Sequence, residues 1–292
     1  MAVLARRVLS VLVALAVLAG LWEGYRAMGR ATDDEWPLIG VELPVSTDDR
    51  TMPSVGDITS RLFEAQQARG GSDTVAVAVL KASWFTFREA LVGFVAGLVV
   101  GLLLAIFMLR WRVVERGLLP WVIVSQTIPL LALAPVVVAW AGKLSFVEDR
   151  RWLAVSIIAT YLTFFPVAVN GLRGLKAPAR QSIELMSSYA ATWRQTLFKV
   201  RLPAAAPYLV PALKLAATAS IVGAIVGEIS TGIEGGIGRL IISYAQQAQT
   251  DPPKLYGAIL GAALLGLVFV GLIGLLDRLL PTARARPGEV VT

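Results

Sequence analysis

The side chains that could do chemistry in this sequence are few, and two reactive kinds are missing. The 292 residues include no Cys and no His. Thiolate nucleophiles, disulfides, imidazole bases and Cys/His metal sites are therefore excluded. The remaining polar candidates lie inside long apolar runs, where such groups are costly and often mark the route of a solute. They are Ser125, Gln126, Thr127, Thr160, Thr163, Asn170, Thr218, Ser220 and Glu228.

These candidates differ in how easily their hydrogen-bonding groups could find a partner other than a solute. Ser and Thr hydroxyls can bond their own helix backbone, whereas the amides of Gln126 and Asn170 cannot hide so easily. Glu228 falls near one end of its run, where water can reach it. Prolines add possible kinks: Pro129 and Pro135 are expected to break the third apolar run, and Pro166 the fourth. The candidate translocation path is Ser125, Gln126, Thr127, Pro129, Thr160, Thr163, Asn170 and Ser220.

The elements that must position these groups are membrane-spanning helices. The chain is 56% hydrophobic and only 16% charged, with a mean hydropathy of +0.69. Long apolar runs in such a chain predict a polytopic all-α membrane protein. The first run also fits a signal peptide, but no cleavage site is evident and Trp22 and Tyr25 suit interfacial anchors, so we expect an uncleaved span. Six spans are predicted, at about 8–21 (extending to 25), 84–109, 118–141, 152–172, 208–229 and 256–276.

The distribution of Lys and Arg predicts the orientation of these spans. With both termini in the cytoplasm, the cytoplasmic segments hold 15 of the 27 basic residues, Lys214 included, and 4 of the 20 acidic residues. The opposite orientation would violate the positive-inside rule in nearly every short loop. The net charge of +7 therefore indicates the topology of a protein in contact with membrane lipid, and no nucleic-acid partner is expected.

The sequence divides into four segments by composition. Residues 1–25 form the N-terminal span, 26–82 an external segment, 83–277 a core of five spans, and 278–292 a cytoplasmic tail. In the external segment, the Pro53-Ser54 turn followed by Ile58, Leu62 and Phe63 predicts a short amphipathic helix on the membrane surface.

Glycines recur at four-residue spacing in two spans. Gly93, Gly97 and Gly101 lie in the second, and Gly223 and Gly227 in the fifth. Small residues at this spacing let helix backbones approach closely. The contact can lie within one chain or across a dimer seam.

The cytoplasmic stretch 173–207 carries the sharpest pattern. Its apolar residues recur at helical spacing, which predicts two short helices joined by a turn near residues 190–192. Ser182 is expected to cap the first helix and Pro203 to end the second. Such a pair can dock into a partner's groove or lie on lipid headgroups.

The spacing within this stretch resembles the E-A-A-x3-G-x9-I-x-L-P loop of ATP-binding-cassette (ABC) importer permeases. Glu184, Leu202 and Pro203 match directly, and Ala190 replaces the glycine. In that family the loop is the coupling helix that docks on the cytoplasmic ATPase subunit. The resemblance implies an ATPase-coupling loop made of Ser182, Glu184, Leu185, Met186, Ser187, Ala190, Ala191, Val200, Leu202 and Pro203.

Other stretches resemble the nitrate/sulfonate/taurine branch of these permeases, over about residues 53–277. They are Arg88, Gly93-Phe94, 126–135, 140–142, 163–170 and 202–207. The resemblance implies a type I importer-like fold and import of a small organic solute or anion from an external binding protein. A homodimer of permeases would work with cytoplasmic ABC ATPases in a bacterial plasma (inner) membrane. The same branch includes permeases for thiamine-precursor pyrimidines, riboflavin and similar heterocycles.

No phosphate-binding G-x-x-x-x-G-K-[ST] motif is present. Gly235-Gly-Ile-Gly-Arg239 lacks the Lys and the preceding strand, which favours a tight loop after the fifth span. ATP and Mg²⁺ are thus expected on the partner ATPase, with no cofactor on this chain and no enzyme activity of its own. A secondary transporter is a weaker alternative because matched interrupted helices are not evident. An exporter fits the importer-type loop poorly.

Overall fold

A computed structural model describes residues 2–35, 41–66, 73–141, 143 and 151–279, without the side chains of 2–8, 10–12 and 277–279. Most of the predicted tail lies outside these residues. The described residues are helical, apart from turns and two isolated bridges. The helices are α1 (Ala2–Ala31), α2 (Val55–Leu62), α3 (Val75–Arg110), α4 (Arg112–Ser125), α5 (Leu130–Ala141), α6 (Trp152–Lys176), α7 (Arg180–Ser188), α8 (Trp193–Thr196), α9 (Leu202–Thr231), α10 (Ile237–Ala245) and α11 (Pro252–Leu279).

The apolar runs fold as helices that are long enough to cross a membrane. Within the described part of the chain, four qualify by length and hydropathy: 75–110, 152–176, 193–231 and 252–276. Helices α4 and α5 count as a fifth if they form one span, although they meet at 105°. The first predicted span lies within α1, a helix of 30 residues. Its role as a sixth span stays a prediction.

The chain forms two compact units, residues 1–80 with 240–261, and 81–239 with 262–292. In the first unit, α2 is the short helix expected after the Pro53-Ser54 turn, and Ser54 and Asp57 cap its start reciprocally. Its Ile58 is buried within the unit, while Phe63 is 77% exposed. Arg61 of the same helix grips both carboxylate oxygens of Asp251 at 2.7–3.1 Å. Charge-assisted forked bonds of this kind are among the stronger side-chain contacts.

The second unit is built around α6. Added methyl groups at Gly93 or Gly97 would come within 2.4–2.5 Å of Ala159 or Thr163 of α6, and one at Gly223 would come within 2.9 Å of the Ala159 backbone. The glycines of α3 and α9 therefore let both helices pack directly on α6. The sequence left open whether these glycines pack within one chain or across a dimer seam, and the structure shows contact within one chain.

Two of the three predicted proline breaks are absent. Pro135 lies inside α5 and Pro166 inside α6, and both helices continue through them. Only Pro129 lies at a break, between α4 and α5. A proline removes one backbone hydrogen bond, and packing on both sides of α6 holds the rest of the helix in place.

Candidate functional site

The predicted coupling loop is a pair of short helices, α7 and α8, joined by a turn. The helix α7 begins at Arg180 after Ala179, whose side chain makes no capping bond. The prediction that Ser182 caps this helix is therefore wrong. Pro178 lies between α6 and α7, where the residue before a proline is disfavoured in helical conformation. The helix α7 then begins about one turn before the predicted start, which places Ser182 inside it.

The turn after α7 lies where the sequence predicted it. Ala190 has a φ of 53°, the left-handed conformation that ordinarily favours glycine. The amides of Ala190 and Ala191 donate to the carbonyls of Ser187 and Met186, both at 3.0 Å. Thr192 then caps α8 in a reciprocal bond with Gln195. The turn therefore has its left-handed residue at position 190, although this chain has alanine where the loop of ABC importer permeases has glycine.

The outer surface of this loop is exposed and partly apolar. Leu185 is 56% exposed and Tyr189 is 77% exposed. Glu184 is exposed and accepts a 2.6 Å bond from the Arg180 side chain. Exposed apolar side chains grouped on a rigid helix pair are the kind of surface that docks into a groove.

The other end of the loop is anchored firmly in the second unit. Leu197 is buried against Leu172, Leu175 and Ala205. The Arg201 guanidinium donates to the Leu175 carbonyl at 2.8 Å. These contacts attach the exposed helix pair to α6 and α9.

The expected helix end at Pro203 is also wrong. From Trp193 the chain runs through α8, a π-helical turn at Leu197–Arg201 and α9 without a break. Pro203 lies just after the π-helical turn, and the helical segment continues through it. Val200 and Leu202 are half-buried in this continuous segment. The loop is thus joined mechanically to a membrane-spanning helix.

Four of the predicted path residues meet at the break between α4 and α5. The hydroxyls of Ser125 and Thr127 donate to backbone carbonyls of α4, at 2.8 Å each. The Gln126 amide nitrogen is buried and has no hydrogen-bond partner among the described residues. The Tyr161 hydroxyl of α6 donates to the Ser125 carbonyl. Tyr161 was missed in the sequence because an aromatic residue in an apolar run carries no distinguishing signal.

The remaining path candidates lie on α6 and α9. Thr160 and Asn170 are half-buried and bond backbone carbonyls of α6, each at 2.8 Å. Thr163 and Ser220 are fully buried and bond their own helices. Thr163 also packs against Gly97 of α3. The hydroxyls of these last two residues are satisfied within the helix packing.

Two charged side chains lie elsewhere than the sequence indicated. Lys214, counted with the cytoplasmic segments, lies within α9, half-buried near Gly274. Glu228, expected to be reached by water, is 0% exposed. The Lys214 side chain can still reach the membrane interface, because long side chains extend out of a span. The cytoplasmic segments therefore keep their excess of positive charge. The burial of Glu228 depends on tertiary contacts that no local pattern reveals.

Comparison with known proteins gives a consistent family. Residues 97–280 match the model for the binding-protein-dependent transport system inner membrane component. The formylaminopyrimidine transport permease protein ThiX of Halalkalibacterium halodurans is 34% identical over 189 residues, covering 65% of this chain and 72% of the relative. A Bacillus subtilis protein whose name assigns it to aliphatic sulfonate transport is 30% identical over 192 residues, 66% of each chain.

The fold has a solved counterpart. An inward-facing structure of the MetNI methionine ABC transporter matches with a TM-score of 0.56 at 19% identity, over 70% of this chain and 95% of that chain. These matches agree with the all-α type I importer-like fold and with a transport subunit that has no catalytic site of its own. The chain is a multi-pass ABC importer permease and belongs to the family of binding-protein-dependent transport system inner membrane components.

Proposed function

We propose that this chain forms the translocation path of an importer for a small organic solute or anion. An external binding protein delivers the solute, and separate cytoplasmic ATPase subunits hydrolyse ATP with Mg²⁺. The observation that carries the proposal is the exposed helix pair α7–α8, whose apolar surface is built on a segment anchored in the core. Both the family and its relatives support this role.

The connection of the loop to α9 supports a mechanism of coupling. When the bound ATPases approach each other, they displace the loop around Glu184. Because α8, the π turn and α9 are continuous, this displacement passes into a membrane-spanning helix. The Arg201–Leu175 bond passes it to the end of α6. A bistable arrangement of these helices, biased by the partner's nucleotide state, would alternate access to the path.

We further propose that two copies of the chain pair around the path, with both termini in the cytoplasm. One chain offers at most five qualifying spans plus α1 among its described residues. A two-lobed path with one docking loop for each ATPase needs two such chains.

Two solute classes are open to test. One is a sulfonate-, taurine- or nitrate-like anion, and the other is a heterocycle such as a thiamine-precursor pyrimidine or riboflavin. The 34% identical formylaminopyrimidine permease favours the second candidate. The unpartnered amide nitrogen of Gln126 at the α4–α5 break could donate to a carbonyl, a ring nitrogen or a sulfonate oxygen.

The coupling proposal is tested with the complex purified from its native membrane. Deleting residues 182–199 should abolish co-purification of the ATPase and its stimulated hydrolysis. Tyr189→Ala should weaken both, whereas Phe63→Ala, which removes an equally exposed ring elsewhere (77% for each), should change neither. Survival of pull-down and stimulation in the deletion variant would refute docking at this loop.

The solute is tested separately in vesicles that contain the ATPase and the binding protein. Labelled formylaminopyrimidine and labelled taurine serve as probes of the two classes, and uptake should require ATP. Gln126→Leu should reduce uptake of the transported probe while leaving the ATPase bound. Uptake that proceeds without ATP would indicate a secondary transporter instead.

A further inference from the structure

A fully buried polar cluster lies where α3, α9 and the start of α10 meet. Thr86 and Glu89 come from α3 and Glu228 from the last turn of α9, and all three are 0% exposed. The backbone amides of Ile237 and Gly238 complete the cluster. All of these residues belong to the second compact unit. The coupling and path arguments above make no use of this cluster.

Glu228 acts in this cluster as a hydrogen-bond acceptor. Its Oε1 accepts from the Thr86 hydroxyl at 2.6 Å, and its Oε2 from the Gly238 amide at 2.7 Å. The Thr86 oxygen in turn accepts from the Ile237 amide at 2.8 Å. These bonds tie the loop that follows α9 to α3. Donors directed at both oxygens stabilise an ionised carboxylate.

The glycines of the 235–238 motif make this arrangement possible. An added methyl group at Gly236 would lie 2.1 Å from the Glu228 carboxyl carbon. One at Gly238 would lie 2.6 Å from the Ile225 carbonyl oxygen. The motif is therefore a tight loop, as the sequence indicated, and its small residues allow backbone amides to reach a buried carboxylate.

Glu89 is the unusual member of the cluster. Glu89 lies one turn after Thr86 on α3, the residue that bonds Glu228, and its carboxyl interacts with the Glu228 carboxyl, but no donor from the described residues faces either of its oxygens. The neighbouring Arg88 guanidinium stacks on the rings of Phe85 and Trp152, 5.6 Å from each centroid. The Arg88 charge acts on Glu89 without a hydrogen bond to either Glu89 oxygen, and two ionised carboxylates that interact at a buried site would be strongly unfavourable.

We propose that Glu89 carries a proton and donates it to Glu228, so that the two carboxyls bind one shared proton. Glu228 then accepts three bonds, from Thr86, Gly238 and Glu89, and every donor has an acceptor. The proton latches the 232–236 loop and the far end of α9 to α3. This inference goes beyond the transport function and does not depend on it.

The latch also has a place in the coupling route. Helix α9 continues the coupling loop at one end and is fixed through Glu228 at the other. A helix held at its far end pivots there when its near end is displaced. The shared proton would therefore define the pivot, and its loss would free the loop that follows α9.

The test uses the absence of cysteine in the chain. A single Glu234→Cys substitution places a thiol on the exposed part of the loop, and its labelling rate is measured in the purified transporter complex. Glu89→Gln should leave the rate within about twofold, because a neutral amide still donates to Glu228. Glu89→Leu and Glu228→Gln should raise it roughly tenfold, because the first removes the proton donor to a buried charged carboxylate and the second removes an acceptor for Thr86 or Gly238. Ser230→Ala, near Glu228 on α9, is the control and should leave it unchanged.

Infrared spectroscopy examines the proton directly. The difference spectrum between the parent complex and Glu89→Gln should contain the C=O band of a protonated carboxyl, shifted in D2O. Absence of that band would overturn the proposal, even if Glu228→Gln fails to fold. A Glu89→Gln labelling rate as high as that of Glu89→Leu would also overturn the proposal, because that result is expected if both carboxylates are charged and are bridged by a cation.

Discussion

At the scale of single residues, Ala190 shows how the predicted coupling loop keeps its turn without glycine. Its φ of 53° lies in a region that costs a non-glycine residue about 1–2 kcal/mol. Alanine tolerates this conformation because its side chain is small, and two backbone hydrogen bonds hold the turn. A β-branched residue would be a true outlier there.

We therefore expect Ala190→Val to distort the turn and to reduce ATPase binding, whereas Ala190→Gly should preserve it. The measurement is ATPase co-purification and stimulation, with membrane insertion checked by expression level. Equal behaviour of the two variants would show that the turn conformation is unimportant for docking.

Asp34 is a second residue whose ionisation has a structural consequence. Its carboxylate accepts from the Thr47 hydroxyl and amide and from the Ser46 hydroxyl. These bonds, the Thr47 hydroxyl above all, hold the pKa of Asp34 below its usual value. Because the pKa of Asp34 is lower in the folded than in the unfolded state, its ionised form stabilises the fold. This stabilisation is complete above the pKa of the unfolded state and is lost as the pH falls through the pKa of the folded state.

The protection of the 41–54 segment against hydrogen exchange, measured relative to the intrinsic exchange rate at each pH, should therefore fall as the pH drops below about 4. In Asp34→Asn, protection should be weaker at neutral pH and its acid dependence should be smaller, the remainder coming from Asp48 and Asp49, whose pKa values are lowered by hydrogen bonds from Thr51 and Arg26; Asn still tolerates the φ of 63° at this position. An unchanged acid dependence in the variant would contradict the assignment to Asp34.

At the scale of elements, packing of α3 on α6 depends on the glycine spacing. An added methyl group at Gly97 would come within 2.5 Å of the Thr163 Cβ, and at Gly266 of α11 it would meet nothing within 4 Å. Both glycines lie within helices, so their backbone preferences are similar. Only their surroundings differ.

Gly97→Ala should thus lower the stability of the complex by about 1–3 kcal/mol through overpacking. Gly266→Ala should be neutral or slightly stabilising, because alanine favours helix. Thermal unfolding in detergent compares the two. A Gly97→Ala variant as stable as Gly266→Ala would indicate that α3 and α6 can separate at little cost.

At the scale of the whole molecule, the orientation rests on the positive-inside asymmetry. The chain lacks cysteine, so single thiols report sidedness cleanly. Tyr189→Cys on the coupling loop should react with an impermeant reagent only after the cells are permeabilised. Phe63→Cys after α2 should react in intact cells. The reverse pattern would place the loop outside and end the proposal of a cytoplasmic ATPase partner.

Much of the architecture could be predicted from the sequence because its signals are local. Apolar runs identified four of the spans, and helical spacing identified the loop helices and the turn at Ala190. The family resemblance was confirmed because it rests on residue spacing. The spacing did not locate the helix ends near Ser182 and Pro203, because whether a helix begins at, or continues through, such a residue depends on packing that the spacing does not record.

The sequence by itself determined that this is an apolar, helical permease with a predicted coupling loop and without thiol or imidazole chemistry. Only the tertiary structure decided that α6 lies between α3 and α9, that the loop continues into α9, and that Thr86 bonds Glu228. The physical reason is distance along the chain. Thr86 and Glu228 are 142 residues apart, so their contact depends on how the helices pack, which local hydropathy and spacing do not encode.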